Sequence, residues 1–221
     1  MNIIKKQIAY NRTKRTGKII YLVIHDAGNK TKGANADAHF NYFNGGNRNS
    51  SADFFVDDTK ILQINDYTKY QTWHVGDGKG KYGITNSNSV GIEICVNADG
   101  DYEKAFANAV KLTKYLMKEL DIPIERVVRH YDASRKNCPA SMRDNNWAKW
   151  KEFKQKLLEA DMKECKFTDI SGHFAEKDIK DLFTMGIVNG KDGTHYEPNA
   201  PVTRGEIAVI ARNVIRYITG K

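Results

Sequence analysis

Two regimes of apolar and polar positions divide the chain, and the first alternates strand-like runs with helix-like periodicity. Ile19 to Ile24 is an unbroken apolar run, which predicts a buried strand, and Val90 to Val96 predicts a second. Ala36, Phe40 and Phe43 fall on one side of a short helix that Gly45 and Gly46 end. Phe54 to Val56 and Ile61 to Ile64, separated by DDTK, predict a hairpin. Phe106, Ala109, Val110, Thr113, Leu116, Met117 and Leu120 recur at helical spacing, with Asp99 or Asp101 as cap and Pro123 past the end. Val127 and Val128 form a short β-branched run. Trp147, Trp150, Phe153 and Leu157 mark a further amphipathic helix, where aromatics at that spacing serve as core. Strands and helices in this order predict an α/β fold, a mixed central sheet flanked by helices, over residues 1–160.

The charged stretch EADMKECK breaks the pattern, so a linker is expected over 161–166 and a small all-α module over 167–221. The second module predicts a helix through Ile179, Leu182 and Phe183, a Gly-rich turn, and a final helix capped by Thr203. A chain of 221 residues accommodates one sizeable core and such a module.

Charge narrows the partners. The net charge is +8, and it resides in the first part: from Lys166 onward the chain has 8 Lys and Arg against 7 Asp and Glu, and before it 27 against 20. A basic surface suits a polyanion, but no Arg/Lys-rich helix or Gly-aromatic motif supports a nucleic-acid partner, whereas anionic wall polymers fit equally well. No run approaches the ~20 apolar residues of a membrane span, and MNIIKKQIAYNRTKRTGK lacks the apolar stretch of a secretion signal. The expectation is synthesis in a cytoplasm without a signal peptide and without membrane insertion. Three cysteines form no paired framework; Cys95 reads as a buried hydrophobe, and only Cys138 has neighbours suited to a ligand.

The chemistry gathers around three side chains. His25 closes the run IIYLVIH, and VVRHYDASRKNCP offers His130 and Cys138 at H-x7-C spacing. Both histidines lie just beyond β-branched runs, which projects them from one end of a sheet into one crevice. Two neutral imidazoles and a thiolate are the protein half of a tetrahedral zinc site with its fourth position open to water, a hydrolytic arrangement. Glu93, in the strand VGIEICV, alternates away from Val90, Ile92 and Ile94; a carboxylate there needs either an ion-pair partner or a catalytic purpose. Lys136, two residues before Cys138, is within reach of the same place.

Four motifs in order, VIHDAG, TWHVGDGKG, NSVGIEICVN and RHYDASRKNCP, make the first 160 residues resemble the zinc-dependent N-acetylmuramoyl-L-alanine amidases of the phage-lysozyme and peptidoglycan-recognition type. The resemblance implies zinc on His25, His130 and Cys138, and cleavage of the amide between N-acetylmuramic acid and L-alanine in peptidoglycan. Glu93 is then the proton-transferring base and Lys136 the cation that steadies the oxyanion. It places His74 near the substrate cleft, where it binds sugar or supports the site, unless it stacks at the surface beside Trp73. His39, His173 and His195 read as non-catalytic.

The second pattern, with FTDISGHFA, GIVNGKDG and PVTRGE, resembles one S-layer homology repeat. Such repeats hold proteins to secondary polysaccharides of Gram-positive walls, and the resemblance implies that Asp169, Phe174 and Arg204 contact the polymer. Phe174 stands where the family usually has Trp, and Gly205 where it usually has Ala. Such repeats usually come in threes; with one, either binding is weak or chains self-associate to complete the set. The expected whole is a phage or prophage endolysin acting at the bacterial wall. The alternative is a noncatalytic peptidoglycan-binding receptor on the same fold.

Overall fold

The structure is a computed structural model that describes residues 2–159 and 165–219. The chain divides into two compact units, Met1–Leu158 and Glu159–Lys221. Residues 161–164 of the expected linker lie outside the described residues.

In the first unit the elements run β1 (Ile3–Lys5), β2 (Arg12–Lys14), β3 (Tyr21–Asp26), α1 (Ala36–Asn44), β4 (Phe54–Val56), β5 (Ile61–Gln63), β6 (Tyr70–Thr72), β7 (Ser89–Ile94), α2 (Tyr102–Glu119), β8 (Val127–Arg129), α3 (His130–Ser134) and α4 (Asp144–Leu158). Six strands form one sheet in the order β1-β5-β4-β7-β3-β8, while β2 and β6 make a separate antiparallel pair. Within the large sheet only β4 and β5 run antiparallel, as the hairpin over DDTK; Asp57 closes that turn by accepting from the Thr59 and Lys60 amides.

Strand alternation decides which side chains reach the site. Leu22 and Ile24 of β3, Val90, Ile92 and Ile94 of β7, and Phe54 and Val56 of β4 pack in the main core with Phe106, Leu112 and Leu116 of α2 and Trp150, Phe153 and Leu157 of α4. The intervening residues Val23, His25, Gly91 and Glu93 project to the opposite face. There Val23 packs with Val75, Ile84 and Ala133, and Phe55 packs with α1. The sheet is thus covered on both faces, except where His25 and Glu93 meet a crevice at the carboxyl ends of the parallel strands.

The structure resolves the open choice of cap for α2. Asp101 accepts from the Lys104 amide at 3.1 Å, whereas Asp99 serves the Gly33 amide. The strand β3 begins at Tyr21 rather than Ile19, because the Ile20 amide bonds the Asn88 carbonyl before the regular ladder begins. In α4, residues 145–147 have left-handed φ ahead of the regular turns that bury Trp150, Phe153 and Leu157.

Among its described residues the second unit holds two helices, α5 (Glu176–Thr184) and α6 (Arg204–Thr219); Ile179 and Phe183 of α5 pack in a small core with Phe167, Ile170 and Tyr196, and Asn213 of α6 donates to the Ile187 carbonyl. Gly190 is required: a Cβ there would meet Phe167 at 2.2 Å and the His195 carbonyl at 2.6 Å. Thr203 and Glu206 cap α6 reciprocally, with Thr203 N to Glu206 Oε2 at 2.7 Å and Glu206 N to Thr203 Oγ1 at 3.2 Å. Among the described residues no helix is long and apolar enough to cross a membrane.

Candidate metal centre and catalytic crevice

Three elements bring His25, His130 and Cys138 together. The carboxyl end of β3 presents His25, the first residue of α3 is His130, and the loop after α3 returns Cys138 to the same point. That loop is closed by the Tyr131 amide bonding the Cys138 carbonyl at 2.9 Å and by the Cys138 amide bonding Lys136 O at 2.8 Å. One ligand atom from each of the three residues lies within 4.8 Å of the others, and all three side chains are buried. The Cys138 Sγ to His25 Nδ1 distance is 3.8 Å.

The protonation states suit a cation. Burial, with the neighbouring His130, His74 and Lys136 charges adding to it, holds His25 neutral well below the usual imidazole range. Burial also lowers His130, although Asp77 opposes it with a hydrogen bond to Nε2 at 2.8 Å. Asp77 stays ionised: burial disfavours its charge, but bonds from His130 and from Ser134 Oγ outweigh it. Burial and the Glu93 charge push the Cys138 thiol up to about 12, so the sulfur becomes a thiolate there only with a cation beside it.

Glu93 is the direct register partner of His25, and its Oε1 lies 3.8 Å from His25 Nδ1. Burial and the adjacent Asp26 carboxylate raise Glu93 well above the usual carboxylate range, and Lys136 partly offsets them. Its Oε2 is buried with no hydrogen-bond partner among the described residues. A buried, unsatisfied carboxylate oxygen costs stability unless something else uses it. Lys136 is exposed, and its charge reaches His25, His130 and Glu93. Asp26 ties the crevice wall to the following loop, accepting from Ser141 N at 2.7 Å and Ser141 Oγ at 2.8 Å.

His74 is not at the surface: it is 7% exposed, and both ring nitrogens are engaged, Nδ1 by His25 Nε2 at 3.1 Å and Nε2 by Ser89 Oγ at 3.2 Å. Asp77, Asp26 and Ser89 carry no signal of such roles in the sequence. Asp77 lies within the motif HVGDG, but nothing local links it to His130, 53 residues away.

In the second unit the Asp169 carboxylate accepts from the backbone amides of Tyr196 and Glu197, at 2.7 to 3.1 Å, which pins one chain segment to another. Phe174 is 94% exposed, and Arg204 is exposed in the first turn of α6. Among the described residues no hydrogen bond or ion pair joins these three.

Residues 15–141, more than half of the chain, match the N-acetylmuramoyl-L-alanine amidase family, and residues 166–208 match the S-layer homology domain. The N-acetylmuramoyl-L-alanine amidase CwlH of Bacillus subtilis (strain 168) is 41% identical over 141 residues, 64% of this chain and 54% of that protein. The solved catalytic domain of XlyA is similar over 71% of this chain and 99% of its own, with 40% identity and a TM-score of 0.64. A mutant endolysin from Bacillus subtilis is 42% identical over 71% of this chain and 98% of its own, also with a TM-score of 0.64. The chain spans about half the length of the curated relatives it matches.

Proposed function

Since the chain belongs to the N-acetylmuramoyl-L-alanine amidase family, we propose that its first unit hydrolyses the amide joining N-acetylmuramic acid to L-alanine in peptidoglycan, with zinc held by His25, His130 and Cys138. The observation that carries this reading is the convergence of those three ligand atoms beside Glu93, whose buried Oε2 has no hydrogen-bond partner among the described residues.

The donor set fits the ion: two imidazoles held neutral and a buried thiol that needs a cation to ionise. Zinc there supplies a Lewis acid for the amide carbonyl and makes water acidic near neutral pH. Glu93, with its raised proton affinity, takes the proton of the attacking water and delivers it to the leaving nitrogen. Lys136 steadies the negative charge that develops on the carbonyl oxygen. His74 supports His25 from beneath the crevice rather than reaching for sugar.

The second unit, taken as the module 167–221 joined through 161–166, targets the enzyme to the Gram-positive wall. Arg204 and Phe174 are open to a secondary wall polysaccharide, while the Asp169 carboxylate is engaged by the Tyr196 and Glu197 amides. A single repeat presents Val202, Ile207 and Val209 to solvent, which suits self-association that completes a shared binding groove. Similarity to an endolysin favours a phage or prophage lytic enzyme. A noncatalytic receptor is the weaker reading, because this chain retains the cysteine ligand and the glutamate. Mass analysis of digested peptidoglycan tests the activity: free lactyl-muramic glycan and stem peptides beginning with L-alanine are expected, and glycan fragments with intact stems would sink it.

A further inference from the structure

A histidine binds a metal through whichever ring nitrogen lacks the proton, so each ligand histidine needs a partner that holds its proton on the other nitrogen. Asp77 does this for His130. For His25 the partner is a second imidazole, His74, and its own polarity is determined two hydrogen bonds further on, at the Thr85 carbonyl.

The chain of donors and acceptors has one consistent direction. Ser89 Oγ donates to the Thr85 carbonyl at 2.5 Å, and a carbonyl only accepts. The single hydroxyl proton is thereby used, so toward His74 Nε2 at 3.2 Å the Ser89 oxygen can only accept, and the proton of His74 is on Nε2. The His74 ring is buried and its hydrogen bonds go to a hydroxyl and to a second imidazole, not to a carboxylate, so it is neutral and Nδ1 is bare. That bare nitrogen accepts from His25 Nε2 at 3.1 Å. His25, also neutral, is left with its lone pair on Nδ1, the atom that faces Cys138 and Glu93.

The relay is held in place by its surroundings. The His74 and Val75 amides both donate to Asn86 Oδ1, at 3.0 and 2.9 Å. Arg15 fixes the loop that carries Asn86 and Ser89 by donating to the Ser87 and Ser89 carbonyls at 2.7 and 3.1 Å. Beneath the ring lies Gly91, where a Cβ would come within 2.7 Å of His74 Cγ.

We propose that His74 is a positioning residue for the metal site: with Ser89 as its anchor, it selects the His25 tautomer that presents Nδ1 to the ion. The proposal rests on the reading of His25, His130 and Cys138 as a zinc site. Reversing the relay would put a proton on His25 Nδ1, pointing at Cys138 and Glu93, and close the ligand position. Unlike Asp77, His74 does this without adding charge beside Glu93 and the cysteine.

The test compares the full chain with His74→Phe, which keeps a ring but has no acceptor, His74→Asn, which restores an acceptor near the Nδ1 position, and Ser89→Ala, which frees the relay. Zinc affinity is read by competition with a chromogenic chelator, the cobalt(II) visible spectrum reports ligand geometry, and the melting temperature of the metal-free chain reports packing. His74→Phe should weaken zinc binding by about 10- to 100-fold and alter the cobalt spectrum, with His74→Asn recovering most of the affinity and Ser89→Ala falling between. If His74→Phe does not fold, Ser89→Ala against the unaltered chain decides the matter. An unaltered chain that binds one zinc, with both His74→Phe and Ser89→Ala binding it as tightly, overturns the positioning role and leaves the metal site standing. An unaltered chain that binds no zinc overturns both.

Discussion

His25 and Glu93 are direct partners in the parallel register of β3 and β7, and both point to the crevice face, with Nδ1 and Oε1 3.8 Å apart. One pairing thus sets a proposed metal ligand beside a carboxylate whose proton affinity burial and Asp26 have raised. Glu93→Gln preserves shape but cannot take a proton. It should keep zinc content and melting temperature near the parent values while turnover on purified walls falls by at least about 100-fold. Near-parent turnover would remove Glu93 from the reaction.

Cys138→Ala should lose most of the zinc, because the thiolate is the one anionic ligand among the three and the two remaining imidazoles are neutral. Metal analysis of the dialysed variant against the parent measures this. Full occupancy in the variant would mean that the ion sits elsewhere.

Gly91→Ala tests the crowding under the site. The new Cβ would lie 2.7 Å from His74 Cγ and 2.8 Å from His74 Nδ1, and the ring has no free side to move toward while Ser89 and His25 hold it. Overpacking of this kind costs about 1–3 kcal/mol. A lowered urea midpoint together with weakened zinc binding is expected; an unchanged midpoint would show that the ring adapts freely.

The parts legible in the sequence are those that depend on local periodicity or on a motif. β3, β7 and α2 announce themselves as apolar runs or helical spacing, and His25, Glu93, His130 and Cys138 stand in motifs with a chemical meaning of their own. The strands β1, β2 and β6, with sequences IIK, RTK and YQT, carry too little pattern in three residues; they form because a neighbour far along the chain offers a free edge. Asp77, Ser89 and Asp26 escape for the same reason. Each acts through a side chain 53, 15 or 115 residues away, and ordinary polar residues acquire these duties only when the sheet register brings them there. His74 was visible as part of a motif, but its burial was not.

His39 offers a pH test away from the crevice. Its ring stacks on Phe55 at 4.7 Å, Nε2 is buried without a partner among the described residues, and burial lowers its proton affinity below the ordinary value of 6.5 despite a bond to the Ala34 backbone. The unfolded chain therefore takes up this proton first as pH falls. The stability from the neutral ring is complete above about pH 6.5 and declines as pH drops toward the folded value, by at most about 1.4 kcal/mol per pH unit for one proton. His39→Phe keeps the stacking and removes the titration. Urea denaturation of metal-free protein at pH 7.5 and 5.5 should show a smaller loss in the variant than in the parent, and equal losses would exclude the mechanism.

Wall targeting can be separated from catalysis because every proposed catalytic residue lies before Cys165, and the solved catalytic domain of XlyA aligns with 71% of this chain while being 99% covered itself. Residues 1 to 162 alone should hydrolyse a soluble muropeptide as fast as the full chain. They should sediment poorly with intact walls at high salt, since Arg204 and the exposed Phe174 are gone. At low salt some adsorption should persist, because residues before Lys166 carry 27 basic against 20 acidic side chains, and such attraction is screened within ~8 Å at physiological ionic strength. Arg204→Ala in the full chain should fall between the two, its guanidinium being the group best suited to a polysaccharide carboxylate. Pull-downs at both salt levels distinguish the contributions. If all three proteins bound walls equally at high salt, the repeat would be an association or folding element, and the anchor would have to be sought in the catalytic unit.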